Sequence, residues 1–286
     1  MEYYIRQTDP YYLFHDHIST QVKLMMVVAP LERVKTILQV QSSHPAIPPS
    51  ELFPNIKSVV SHIYAKQGIL GFWRGNLLPL LFFPPAKLIS QHLQQITHNL
   101  DVFDQSSHPI LSKIEKIVLS NPVIWTWGLL LYPVYTIKTH MNLELCARKD
   151  FKSHTYYFKN LSKVRPSELY SGFFFTLYLP YALSQIIEDR VRAQISSDVI
   201  RSSWVFAISM IATGSVIKFL TYPFNTVQYR LMLQQLSTTK KFSTPGECLT
   251  QIMKTEGYRG LYKGFSIDFI SSLFKLLYIS YTHSYF

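Results

Sequence analysis

A chain of 286 residues with 48% hydrophobic and only 16% charged side chains lies below the roughly 25% charge of soluble domains, and reads as a membrane protein. Its net charge of +11 comes without a nucleic-acid module or a basic stripe interleaved with aromatics, so the excess is assigned to membrane topology and nucleic acid is excluded as a partner. Two cysteines without metal or disulfide spacing, scattered histidines and the lack of a nucleophile–base pair or cofactor loop predict no metal, no cofactor and no enzyme.

Residues 1–17 are polar and aromatic, with Pro10 as a breaker, and read as an N-terminal arm or short surface helix. They lack the Arg-rich, acid-poor character of a transit peptide and the apolar core of a secretory signal, so targeting is expected to be internal. A first long helix is predicted from about Ile18 to Gln41. Pro30 kinks it by removing one backbone donor, and Glu32 and Lys35 follow one turn apart at its tip. Ile56, Val59, Val60 and Ile63 then fall at the spacing of a short amphipathic helix lying on a surface. A second long helix is predicted from about Asn76 to Thr97, starting late or bending at Pro79, Pro84 and Pro85. The third, Ile117 to Ile137, is 21 residues without formal charge, enough to cross a bilayer core. The fourth begins near Gly172, the fifth runs from about Ser202 through Pro223 to Gln234, and the sixth from Phe265 to the C-terminus. Thr244-Pro245-Gly246-Glu247 reads as a capping box opening another surface helix.

Two motifs organise this series. Pro30-Leu-Glu32-Arg-Val-Lys35 is followed by Gly68 and Trp73-Arg74-Gly75. Tyr132-Pro133-Val-Tyr135-Thr-Ile-Lys138 is followed by Tyr170-Ser171-Gly172, and Pro223-Phe-Asn225-Thr-Val-Gln228 by Gly257 and Tyr262-Lys263-Gly264. The prolines stand 103 and 90 residues apart, so the chain is three units, each too small to be comfortable alone. The organisation is one domain over 1–286, with repeats at 18–100, 108–200 and 202–286 after the arm.

The pattern resembles the mitochondrial carrier family, and within it the ADP/ATP carriers. The resemblance implies an all-α membrane protein of six transmembrane helices in three pseudo-symmetric repeats, each with a short surface helix on the matrix side of the mitochondrial inner membrane. Lysines and arginines between spans agree with that placement: loops 42–70, 142–169 and 234–262 carry 2, 6 and 4, against 0 and 3 in 92–112 and 188–201. Both termini then face the intermembrane space.

In the family, charged tips of the odd helices pair to close the matrix side. Here that implies one ion pair, Glu32 with Lys138, and hydrogen bonds at most between Tyr135 and Gln228 and between Asn225 and Lys35. The opposite gate falls on Gln95 and His98, Arg192 and Ile195, His283 and Phe286, where no acid–base pair survives. At the positions of the ADP/ATP carriers' basic contacts stand Met25, Phe82 and Ser271, with Lys218 and Lys275 as the remaining candidates for contact with a small anion. Cardiolipin is expected at helix N-termini around Gly68, Trp73, Arg74 and Gly75, around Gly257, Tyr262, Lys263 and Gly264, and less completely at Gly172. With 10 glycines in all and none in the first helix, the packing faces are bulky. The reading is a degenerate carrier, a non-transporting structural or accessory subunit of a respiratory-chain complex; the alternative is a carrier of a metabolite other than ADP/ATP.

Overall fold

The computed structural model describes residues 10–43, 47, 50, 52–97, 126–145, 150–194, 204–236 and 241–284, and every regular element among them is helical. Helix α1, Pro10–Val40, runs through Pro30. It opens at Pro10, eight residues ahead of the expected start. A proline in a first helical turn lacks only an N–H that has no partner there anyway, so Pro10 starts this helix and does not break it. Surface helix α2 is Ile56–Gln67, and α3 is Leu77–Thr97, continuous through Pro84 and Pro85. A π turn, Trp127–Leu131, leads into α4, Tyr132–Asn142, five residues beyond the expected end. Residues 117–125 of the predicted third span lie outside the described residues.

Surface helix α5 is His154–Leu161 and a short α6 is Pro166–Leu169. A second π turn, Phe174–Tyr178, precedes α7, Leu179–Gln194. Helix α8 is Trp204–Gln235, with Pro223 inside it. Then come α9, Pro245–Glu256, the short α10, Tyr258–Leu261, and α11, Phe265–Ser284. Among the described residues no helix is long and apolar enough by its own sequence to cross a membrane. The long helices carry charged and amide side chains on their inner faces, while Leu81, Phe174 and Leu277 stand 60%, 63% and 70% exposed on the outside.

Each surface helix packs beneath the kinked helix of its own repeat. Val59 and Ile63 of α2 meet Val34, Ile37 and Val40 of α1. Tyr157 and Leu161 of α5 meet Val134, Ile137 and Met141 of α4. Cys248 and Ile252 of α9 meet Val227 and Leu231 of α8. Fully burying one such aliphatic side chain contributes about 1.5–3 kcal/mol, which explains the amphipathic spacing of helices too short to persist alone. Their starts are capped: Asn55 and Ser58 form a reciprocal box on α2, and Ser153 caps α5. On α9, Thr244 accepts from the Glu247 N–H, while the Glu247 carboxylate reaches back to the Ser243 N–H, one residue before the position a capping box uses.

The two recurring motifs are physically one device. A proline cannot donate to the carbonyl four residues earlier, which leaves that oxygen orphaned inside a helix. Before Pro30 the orphan is the Met26 carbonyl, and Trp73 Nε1 donates to it at 2.8 Å. Before Pro133 it is the Leu129 carbonyl, in the π turn, and the Tyr170 hydroxyl donates to it at 2.7 Å. In the third repeat the ring of Tyr262 stacks on Phe219, four residues before Pro223, with centroids 4.8 Å apart. In the first two repeats the aromatic of the triplet thus satisfies the carbonyl its own proline orphans, and in the third it packs on the residue that bears that carbonyl.

The glycine of the triplet faces the next repeat. Gly75 has φ +81°, and a Cβ there would come within 3.1 Å of Met141 Cβ and 3.2 Å of the Lys138 carbonyl on α4. Gly172 meets Leu231 of α8 in the same way, and Gly264 meets Lys35 of α1. First repeat to second, second to third and third to first, the three contacts close a ring.

Candidate functional site

The ring surrounds two layers of polar side chains at the end of the bundle where the surface helices lie. The first is made of ions. Lys138 Nζ of α4 lies 2.6 Å from Glu32 Oε2 of α1, and 5.6 Å from the centroid of the Tyr135 ring. The other oxygen of Glu32 receives Lys275 of α11 at 3.4 Å. Lys35 turns away from Asn225 and pairs at 3.0 Å with Asp268 Oδ1 of α11, its ammonium 5.4 Å from the centroid of the Tyr229 ring. Lys218 of α8 meets Asp268 Oδ2 at 2.8 Å, the Asp268 carbonyl at 3.0 Å and the Ser272 hydroxyl. An ammonium has three N–H donors, so α11 occupies all of those of Lys218. Lys275, with 41% of its side chain exposed and one long contact, keeps donors that a solute can reach.

The second layer, toward the surface helices, links each kinked helix to the next. Arg33 of α1, 1% exposed, donates from Nε to the Asn142 carbonyl at 3.1 Å, from one terminal nitrogen to the Glu144 carbonyl at 2.9 Å and from the other to the Gly71 carbonyl. Thr136 of α4 donates to Gln235 Oε1 of α8 at 3.1 Å, and Gln235 Nε2 donates to the Leu169 carbonyl at 2.6 Å. Gln39 of α1 donates to Thr226 Oγ1 at 3.2 Å, and Thr226 in turn to the Leu261 carbonyl at 2.7 Å. Arg33, Thr136 and Thr226 all stand three residues after their proline, so one register position serves all three junctions with different chemistry.

Two carboxylates fix this layer to the surface helices. Glu256 at the end of α9 accepts a bidentate pair from Arg230 at 2.5 and 3.1 Å, Lys263 at 2.7 Å and the Ser42 hydroxyl at 2.9 Å. Burial by itself raises the Glu256 carboxyl, but the hydrogen bonds from Arg230 and Lys263 outweigh it and hold the group at about 2. Glu144 accepts from Arg74 Nε at 2.6 Å, the Tyr157 hydroxyl at 2.8 Å and the Lys152 N–H at 2.9 Å. The bases of two aromatic-base-Gly triplets, Arg74 and Lys263, are therefore bound to protein carboxylates, and the Arg74 guanidinium also lies over Phe151. Gly68, Gly75, Gly172, Gly257 and Gly264, five of the glycines singled out in the sequence, all have positive φ. Cys248 is buried under α9, where desolvation pushes its thiol up to about 12 and leaves it unreactive.

Of the contact positions, Ser271 is buried and Phe82 is 39% exposed. The opposite-gate positions Gln95, His98, Arg192, Ile195, His283 and Phe286 lie outside the described side chains. Sequence reasoning missed Asp268, Arg230, Glu256, Arg33 and Glu144. For Asp268 the signal was available: a carboxylate in the first turn of a long apolar helix is costly unless paired, and only cations were sought there.

The match to known proteins follows the same repeats. The family model of the mitochondrial carrier protein fits residues 21–99 and 201–282, the first and third units. The chain belongs to the mitochondrial carrier family. ADP/ATP translocase 4 of Mus musculus is 25% identical over 260 residues, covering 83% of this chain and 77% of its own. The ADP,ATP carrier protein of Parachlorella kessleri is 26% identical over 257 residues, covering 83% and 73%. ADP/ATP translocase 2 of Rattus norvegicus is 26% identical over 263 residues, covering 83% of each. Membership identifies the long helices as the family's membrane spans, and the chain's mitochondrial carrier homologues are proteins of the inner mitochondrial membrane. The two polar layers link the three kinked helices to one another at one end of the bundle.

Proposed function

We propose that this carrier-fold chain no longer exchanges a solute and serves as a structural, accessory subunit of a respiratory-chain complex in the inner membrane. The observation that carries the reading is the state of the inner cations. Three positions that resemble the basic contacts of ADP/ATP carriers hold Met25, Phe82 and Ser271, and the intramembrane Lys218 has all its donors on α11. A nucleotide's phosphates in a low-dielectric cavity need fixed cations, Arg above all. The exposed aromatic and aliphatic side chains of the outer faces then serve for contact with neighbouring subunits and lipid. On this reading the surface helices face the matrix and both termini the intermembrane space, the arrangement the loop charges favour.

Cardiolipin fits the same picture. A cavity of about 690 Å³ opens beside the N-terminus of α2, lined by Asn55, Lys57, Lys263 and Gly264 among others. It joins a helix N-terminus to Lys57 and to Lys263, whose ammonium is shared with Glu256, a combination suited to a phosphate headgroup.

One observation favours a second reading, a carrier of a small anion. Four lysines, 35, 138, 218 and 275, share two carboxylates, and the surplus charge is open at Lys275. The deciding experiment solubilises mitochondria gently and separates native complexes by size. Stoichiometric migration with a respiratory complex is the expected result. Migration of the free 33.3 kDa chain with its lipid and detergent, together with anion exchange in liposomes abolished by Lys275→Ala, would establish the second reading in its place.

A further inference from the structure

The third repeat lacks a carboxylate at its tip: Asn225 stands two residues after Pro223, where Glu32 stands two residues after Pro30. Lys35, the base such a carboxylate would meet, is nevertheless paired. Its partner is Asp268 on α11, at 3.0 Å, with 12% and 13% of the two side chains exposed. The position follows from the backbone. Gly264 lets the start of α11 approach α1 so closely that a Cβ on it would stand 3.2 Å from Lys35 Cγ and from the Lys35 carbonyl. One turn further, the Asp268 N–H bonds to the Gly264 carbonyl at 3.1 Å, and the carboxylate is presented to Lys35. Lys218 of α8 grips the other oxygen of Asp268, and Lys275, two turns along α11, reaches back to Glu32 on α1.

We propose that Asp268 is the displaced gate acid of the third repeat, and that with it the latch between first and third repeats has moved from the tips of the odd helices into a clamp of α1, α8 and α11. A pair between two tips breaks when the tips separate. A pair made through α11 breaks only when α1 leaves α11, and that separation also breaks the Glu32–Lys275 contact. The clamp therefore binds the last helix of the chain to the first, and makes closure a property of three helices together. The inference concerns the isolated chain and holds whether or not it resides in a larger complex.

Full-length protein carrying Cys146→Ser, in mild detergent, tests it through the apparent melting temperature, read by dye labelling of the buried Cys248 as the chain unfolds. Removing one partner of a buried ion pair is costly, so Asp268→Asn is expected to lower the midpoint by roughly 6 °C or more. Asn225→Asp alone is expected to move it by less than about 2 °C, since Lys35 is already paired. The decisive variant is Asn225→Asp/Asp268→Asn, which returns the acid to the helix tip. Recovery of half or more of the lost midpoint is the expected result. Asp268→Asn without effect, or a double variant no better than Asp268→Asn, overturns the proposal. If Asp268→Asn yields no folded protein, recovery of a folded double variant supports the displacement and failure of both overturns it.

Discussion

The junction of the first and third repeats and the interior of the second repeat solve the same packing problem with opposite chemistry. Between α1, α8 and α11 the polar contacts are ionic, Lys35 and Lys218 on Asp268 and Lys275 on Glu32, and at the foot of the third repeat Arg230 and Lys263 meet Glu256 of α9. Inside the second repeat they are aromatic. Tyr132, Phe173 and Tyr178 form a buried cluster, closed from outside the repeat by Met232 of α8, with the Tyr132 and Phe173 rings edge to face at 5.8 Å. Tyr135 fills the position of the acid. Both helices of this repeat carry a π turn, and Gly128 of one lies hard against Phe173 of the other. The family model matches the first and third repeats. The lesson is that proline, aromatic and glycine are kept wherever the ring must close, because they set backbone geometry. Charge is exchangeable: it can be replaced by aromatic packing or supplied from a neighbouring helix.

The sharpest way to break the comparison is to neutralise the ionic side. Arg230, 2% exposed, is bidentate to Glu256, and Arg230→Met is expected to cost about 3 kcal/mol, the low end for a buried pair, because Lys263 and Ser42 still hold the half-buried carboxylate. Chemical denaturation in detergent measures it. Acid provides the milder form of the same test. The Glu256 carboxyl sits at about 2 in the folded protein against an ordinary 4.5. Its contribution is therefore complete above about pH 4.5 and falls away as pH drops toward 2. A stability profile over that window should flatten in Glu256→Gln, and an unchanged slope would show that other carboxylates govern it.

On the aromatic side the ring glycine is the next strongest point. Gly172 has φ +82° and its missing Cβ would fall 2.7 Å from Leu231 Cδ1, so Gly172→Ala is expected to destabilise by about 1–3 kcal/mol. Gly246→Ala, with open space around it in α9, should be neutral or slightly stabilising. The smallest effects compare the two proline complements. Trp73→Phe and Tyr170→Phe each remove one donor from an orphaned carbonyl, and each should cost about 1 kcal/mol. Equal losses would show that the device is shared by both regions. A loss confined to one would show that the π turn of the second repeat satisfies Leu129 by other means.

Much of the fold was legible because periodic features constrain backbone. A proline in an apolar run followed some forty residues later by aromatic-x-Gly could be located three times without a structure, and the cap at Thr244 is local chemistry. The helix starting at Pro10 was misread because proline acts oppositely at the first turn and in the interior of a helix. The polar layers were only half legible. Glu32 and Lys138 stand at the acid and base positions of the same repeated motif, so their proximity follows from the repeat. Lys35 and Asp268 are 233 residues apart and occupy non-equivalent helices, so no spacing rule joins them.

Sequence by itself determined the all-α repeat, the kink positions, the glycines that turn the chain and the erosion of the charged motifs, since each of these depends on residues within one or two helical turns. Tertiary structure decided which charges meet. Ion pairing depends on where three kinked helices bring their tips and on how closely Gly264 admits α11 to α1, and such distances are set by packing across the whole bundle.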